Sequence, residues 1–248
     1  MQILTKEEIV NMRKAGRVAS RFLRILSKFI KPGISTKDIE VFFENYLKKY
    51  KDMEPAFKGF YGYPGLLCVS VNEEIIHGIP KSDKIIRNQD VVSVDLGIKY
   101  KGLFVDVAYT YIVGKASKLA YKLINTTKRA LYLAIRKVRA GVEVKEISSV
   151  IQNFVEKNGF SVIRRFVGHA IGRELHLPPE IPNFRVENLD SKLVEGMAIA
   201  IEPMVSSGDF EVEVLDDGWT AITKDRSLSA HFEHTVLVTK KGALILTK

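Results

Sequence analysis

The feature that most limits how this chain can fold is a degenerate internal repeat. Placing PGISTKDIEVFFENYL (32–47) over AGVEVKEISSVIQNFV (140–155) matches Gly33 with Gly141, Ile34 with Val142, Lys37 with Lys145, Asp38 with Glu146, Ile39 with Ile147 and Asn45 with Asn153. At nearly the same offset VVSVDLG falls on AIAIEPM, which puts Asp95 over Glu202. Repeats too few to make a solenoid pack as two pseudo-symmetric halves around a shared core. The repeat therefore predicts one α/β (α+β) domain over residues 1–248, with halves of roughly 1–113 and 114–248.

Helix signals surround both copies. Thr5 followed by Glu8 reads as a capping box, and Ile9, Met12, Ala15, Ala19, Phe22, Leu26 and Phe29 then recur at three- and four-residue spacing until Lys31-Pro32-Gly33 stops them. A second helix starts near Ser35 or Thr36 and runs through Ile39, Phe42, Phe43, Tyr46 and Leu47. A third is expected from about Ser117 to Arg139, broken at Ala140-Gly141 before the second copy begins.

Composition closes off several functions. No apolar run approaches the roughly 18–20 residues of a membrane span, and the opening MQILTKEEIV lacks a basic segment followed by an apolar one. Cys68 is alone, so no intrachain disulfide can form, and a reducing cytoplasm is expected. The net charge of +9 comes from scattered lysines and arginines, without a dense basic tract. That pattern suits solvated faces and at most a weak attraction to an anionic surface such as ribosomal RNA.

Against this background, Asp95, Asp106, His169, Glu202 and Glu233 stand in or beside apolar β-like runs: VVSVDLGI (91–98), GLFVDVAYTY (102–111), RRFVGHAIG (164–172), GMAIAIEPM (196–204) and SAHFEHTVLV (229–238). Buried carboxylates must be paired, protonated or bound to cations. Asp95 and Asp106 flank Ile98–Gly102, so a hairpin would bring them roughly opposite one another. Oxygen-rich ligation with one imidazole favours Mn²⁺, Fe²⁺, Co²⁺ or Zn²⁺, and four carboxylates balance two divalent ions. A two-metal site of this kind holds a bridging hydroxide and polarises a carbonyl, which implies hydrolysis of an amide, ester or phosphoester.

HGIP (77–80), DLG…FVD, GHAIGRELH (168–176), AIEP (200–203) and HFEHT (231–235) together resemble, in order and spacing, the type I methionine aminopeptidases, along essentially the whole chain. The resemblance implies the pita-bread fold, with antiparallel sheet flanked by helices in two pseudo-symmetric halves. It implies two divalent metal ions on Asp95, Asp106, His169, Glu202 and Glu233, with Asp106 and Glu233 bridging and Glu202 also serving as acid/base. His77 would hydrogen-bond the scissile amide on its leaving side, and His176 would stabilise the developing oxyanion. Phe57, Phe60, Tyr63, Cys68, Leu175 and Trp219 would line a methionine pocket. The implied activity is removal of the initiator methionine from nascent polypeptide N-termini when the second residue is small. A cytoplasmic monomer is expected, with transient ribosome association and no DNA or membrane partner.

Two departures from the family pattern stand out: Ala170 follows the metal-binding histidine where glycine is common, and Phe57 occupies a position that often holds a second cysteine. Two other readings compete. Proline-specific peptidases of the same fold share the five ligands but carry a sizeable preceding domain, whereas here the catalytic pattern begins almost at Met1. A non-catalytic pita-bread binding module would be expected to lack a ligand. The late helical insertion of type II enzymes has no room in the 25 residues between His176 and Glu202 (177–201). His231 and His234, on either side of Glu233, are expected on the strand face or behind the ligands rather than on the metal.

Overall fold

The computed structural model describes residues 2–248. Among the described residues there are four α-helices, α1 (Lys6–Phe29), α2 (Thr36–Leu47), α3 (Lys118–Lys137) and α4 (Val144–Lys157). The capping box predicted for α1 forms, with the Thr5 hydroxyl accepting from the Glu8 N–H at 3.2 Å and Glu8 Oε2 accepting from the Thr5 N–H at 2.8 Å. Met12, Ala15, Ala19, Phe22 and Leu26 form its buried stripe. The third helix stops at Lys137 rather than Arg139, because Val138 is already extended and the Ala140 and Gly141 N–H groups bond to Thr239 and Leu193 carbonyls instead.

The strands are short apart from one hairpin. In the first half they are β1 (Met53–Pro55), β2 (Cys68–Val71), β3 (Glu74–Ile76), β4 (Val91–Tyr100) and β5 (Leu103–Ile112). In the second they are β6 (Ser161–Val162), β7 (Gly168–Ile171), β8 (Leu177–Ile181), β9 (Ala198–Ile201), β10 (Met204–Ser206), β11 (Val212–Val214), β12 (Ala221–Thr223), β13 (Ser229–His231), β14 (His234–Val238) and β15 (Ala243–Ile245). All pairings are antiparallel; β4 pairs with β1, β2 and β5, and the largest sheet runs β15-β14-β9-β7-β8. The β4–β5 hairpin turns at Lys101-Gly102, both at positive φ, which matches the right-handed twist of the flanking strands.

Two of the apolar runs do not continue as single strands. The chain leaves β9 at Glu202-Pro203 and re-enters as β10 in a different sheet. It also leaves β13 at Phe232-Glu233 and re-enters as β14, moving between the same two sheets in the opposite direction. Pro203 has no N–H to offer a ladder. Two metal-ligand candidates thus sit at corners where sheet pairing is interrupted.

The repeat is visible in hydrogen bonds. Ser35 bridges Ile85 as Glu143 bridges Lys192. The bonds Gly33 N–H to Ile86 C=O, Ile86 N–H to Ile34 C=O and Thr36 N–H to Lys84 C=O recur as Gly141 to Leu193, Leu193 to Val142 and Val144 to Ser191. Gly33 and Gly141 both take positive φ (94° and 85°), so each copy needs glycine where its helix is entered. One apolar core joins α1 and α2 to β2, β4 and β5; a second joins α3 and α4 to β7, β9 and β14, and Tyr109 packs against both.

The halves are fastened where β5 passes the β13–β14 corner. The Glu233 N–H donates to the Ala108 carbonyl at 3.0 Å. On one side of this bond the Thr235 hydroxyl both accepts from the Asp106 N–H and donates to its carbonyl, each at 2.8 Å. On the other side the Thr110 hydroxyl does the same to the backbone of His231, at 2.9 and 2.6 Å. Each half therefore holds a residue of the other by both backbone groups.

Candidate metal centre and active site

All five predicted ligands are buried and line one cavity of about 510 Å³. Asp95 and Asp106 come from β4 and β5; Gly97 faces Asp106 and Ala108 faces Asp95, so the two carboxylates are diagonal neighbours rather than directly opposed. His169 is on β7, while Glu202 and Glu233 occupy the two sheet-switching corners. Ligand atoms of Asp106, His169 and Glu233 lie within 4.8 Å of one another. His169 Nε2 is 3.6 Å from Glu202 Oε1.

These residues fit a divalent metal on three counts. Asp95 Oδ1 and Glu233 Oε1 are buried without a hydrogen-bond partner among the described residues, an arrangement costly for a carboxylate unless a cation takes the lone pairs. Without one, burial pushes the Asp95 carboxyl up to about 7 and raises Asp106, Glu202 and Glu233 well above the usual range, with neighbouring carboxylates adding to the shift at the last three. Third, His169 Nδ1 lies 3.0 Å from the Ala170 carbonyl. Donation to that oxygen leaves the Nε2 lone pair facing the acids. Burial and the neighbouring His176 push the His169 pKa down to about 3, so the ring is neutral.

Local backbone explains the placement. A Cβ at Gly168 would meet the Ala200 carbonyl at 2.4 Å, so the residue before His169 must be glycine for β7 to approach β9. A Cβ at Gly97 would meet the Phe57 ring at 2.7 Å, so that glycine makes room for the aromatic side chain. Ala170, the other departure, is buried in β7, and its carbonyl is the one beside His169.

The catalytic candidates His77 and His176 line the same cavity. His77 holds a positive φ of 61°, and a Cβ at Gly78 would meet the Val69 carbonyl at 2.3 Å. The HGIP turn can therefore press against β2 and project His77 inward. His77 meets Phe166 edge-on at 5.3 Å, and His176 stands 4.2 Å from the His169 ring, centroid to centroid. Desolvation holds His77 down to about 4 and lowers His176, so both are neutral near pH 7 and each keeps one N–H to donate.

Phe57, Phe60, Tyr63, Cys68, Leu175 and Trp219, predicted to line a methionine pocket, all border this cavity. Cys68 lies opposite Asp95 across the β2–β4 ladder. The Tyr63 hydroxyl donates toward the Leu67 and Gly78 carbonyls, which fixes its ring edge-on to Trp219 at 5.1 Å. Trp219 sits in the β11–β12 connection, where Asp217 accepts from the Trp219 and Thr220 N–H groups, the Thr220 hydroxyl and Lys81. Burial opposes ionisation of Asp217, but these hydrogen bonds outweigh it and hold the carboxyl below its ordinary range.

His231, expected on the strand face or behind the ligands, is buried with its Nε2 3.8 Å from Glu202 Oε2 and neither ring nitrogen hydrogen-bonded among the described residues. Phe166, Arg165 and Glu180 also line the cavity. The HFEHT run signalled His231 through its place two residues before Glu233. Nothing in the surroundings of Arg165 or Glu180 in the sequence marked them.

Residues 10–240 match metallopeptidase family M24. A methionine aminopeptidase from Clostridium perfringens is 45% identical over 248 residues, covering 100% of this chain and 99% of that protein. The crystal structure of methionine aminopeptidase from Thermotoga maritima superposes with a TM-score of 0.97 at 47% identity, over 100% of this chain and 99% of that one. A prolidase from Pyrococcus furiosus is 25% identical with a TM-score of 0.81, over 99% of this chain but 65% of that one. The helix-flanked antiparallel architecture is thus the pita-bread fold, and the full-length likeness is to the methionine-specific enzymes. The chain belongs to metallopeptidase family M24 and, within it, to the methionine aminopeptidases.

Proposed function

We propose that this metallopeptidase removes N-terminal methionine through two divalent ions held by Asp95, Asp106, His169, Glu202 and Glu233. The observation that carries this reading is the convergence of Asp106, His169 and Glu233 donor atoms beside the partnerless Asp95 Oδ1 and Glu233 Oε1. When bound, such ions supply Lewis acidity and a nucleophile active at neutral pH.

The chain's own groups carry the remaining steps. Phe57, Tyr63, Cys68, Leu175 and Trp219 take the methionine side chain, with sulfur–ring contacts contributing about 0.3–1.5 kcal/mol each. Phe60 closes this wall edge-on against His176 at 5.0 Å. The Glu202 carboxylate receives the proton of the attacking water and returns it to the leaving amine. His77 hydrogen-bonds the scissile amide on its leaving side, and His176 donates to the carbonyl oxygen as charge builds there. Both rings are neutral, so each offers one N–H to donate and one bare nitrogen to accept.

The substrate class is the N-terminus of a nascent polypeptide whose second residue is small. The working unit is one domain of two halves, near 1–113 and 114–248, acting as a cytoplasmic monomer that meets the ribosome transiently. Mn²⁺, Fe²⁺, Co²⁺ and Zn²⁺ all suit the oxygen-and-imidazole donor set. Among the described residues no helix is long and apolar enough to cross a membrane. The test is release of methionine from Met-Ala-Ser under anaerobic conditions with each ion supplied separately, alongside metal analysis of the protein. Release with at least one ion, at about two ions per chain, is expected; a chain that binds metal and releases none is a binding module instead.

A further inference from the structure

A second cavity of about 420 Å³ lies behind the metal centre and shares no lining residue with it. Its walls come from α1, α3, β5 and the β13–β14 corner. Val107 on β5 and Phe232 and His234 at the β13–β14 corner face it, each next in sequence to a residue that lines the metal centre.

The chemistry of this rear cavity differs from any need of the hydrolytic site. Tyr109, Tyr111, Tyr132 and Phe232 form an aromatic lining over Leu23 and Leu131. Arg24 and Lys128 stand at it, and no aspartate or glutamate side chain lines it. Lys248 also lines it. In place of an acid, the Lys128 ammonium lies 3.1 Å from the Tyr109 hydroxyl and 4.9 Å from its ring centroid. His234 is already satisfied between Thr247 Oγ1 and the Tyr132 hydroxyl, at 2.9 and 3.2 Å, and supplies a rigid wall.

The volume is in the range that holds small ligands. A ring between the tyrosines and Phe232 gains apolar and stacking contact. One anionic group at the mouth gains two cations. From this juxtaposition we infer that the rear cavity is a binding site for a small aromatic monoanion, separate from the peptidase centre.

The experiment titrates naphthalene-2-sulfonate into the metal-loaded protein by calorimetry, with naphthalene-2-sulfonamide and inorganic phosphate as comparisons. Saturable 1:1 binding of the sulfonate is expected, with the neutral amide and phosphate each at least about tenfold weaker. Arg24→Gln/Lys128→Gln should weaken the sulfonate at least about tenfold while Met-Ala-Ser hydrolysis stays within about twofold. Ser20→Phe, which fills the α1 wall, should abolish binding. Equal binding by the parent and the double variant, phosphate binding as tightly as the sulfonate, or no saturation below about 5 mM would overturn the inference. If Ser20→Phe does not fold, the double variant still decides.

Discussion

The front and rear of the β5–β14 seam are built from neighbouring residues yet have opposite character. The front gathers the buried carboxylates of Asp95, Asp106, Glu202 and Glu233 around imidazoles, with two carboxylate oxygens that have no partner among the described residues. The rear gathers aromatic rings under two cations and has no acidic side chain. A single step along the chain, from Phe232 to Glu233 or from Asp106 to Val107, crosses from one to the other. Low dielectric makes the front carboxylates expensive without a cation. The rear carries its charge at the mouth, where water shares it.

The strongest way to separate the faces is to alter a front group that moves a proton. Glu202→Gln should lower kcat/KM on a Met-Ala peptide by about 10²–10⁴-fold, and His77→Ala should lower it by more than about threefold. Activity within threefold of the parent for either variant, a loss under about 0.7 kcal/mol, would sink the assigned mechanism.

Metal removal comes next. A carboxyl whose folded pKa is raised favours the fold below its unfolded pKa, near 4, and that stability is lost as pH rises through the folded value. Asp95 is held up to about 7, and its three carboxyl neighbours are raised well above the usual range. Chelated protein should therefore melt lower at pH 7.5 than at pH 5. A saturating divalent ion at about 100 times its Kd should restore about 2.7 kcal/mol at pH 7.5. Equal melting of the chelated protein at both pH values would show that carboxylate burial does not govern the front face.

A smaller effect tests the seam that both faces share. Thr235→Val leaves the Asp106 N–H and carbonyl without their common partner and should cost about 1–3 kcal/mol in denaturant unfolding, with some loss of activity. Thr110→Val should cost a similar amount through His231, since that hydroxyl grips the matching backbone. If only one variant destabilises, the two fastenings are not equivalent. The smallest effect is expected at the rear: Lys128→Gln should change methionine release by less than about twofold, and a larger loss would mean the faces are coupled.

Much of the front face was legible because its residues violate a local pattern. An acid among β-branched neighbours is conspicuous, and HGIP and GHAIG mark places where the backbone must come close, as Gly78 and Gly168 do. The repeat was legible because each copy needs a glycine and a helix cap in fixed order. The rear face left no such mark. Arg24 and Lys128 lie on helices where lysine and arginine are ordinary, and their meeting depends on α1 and α3 flanking one strand pair. Arg165, before β7, and Glu180, on β8, escaped because only the packed fold brings them to one cavity.

The sequence alone determined which residues are chemically out of place, where the two copies of the helix entry lie, and which family they fit. Local rules suffice for these, because capping, glycine conformations and apolar periodicity act over a few residues. Only the tertiary structure decided that the long runs break at Glu202-Pro203 and Phe232-Glu233 so that strands change sheets. It also decided that Thr110 and Thr235 lock the halves across more than 120 residues of chain (|i−j| of 121 and 129). Those choices belong to backbone groups finding partners far away in sequence, and no local pattern records which partner is found.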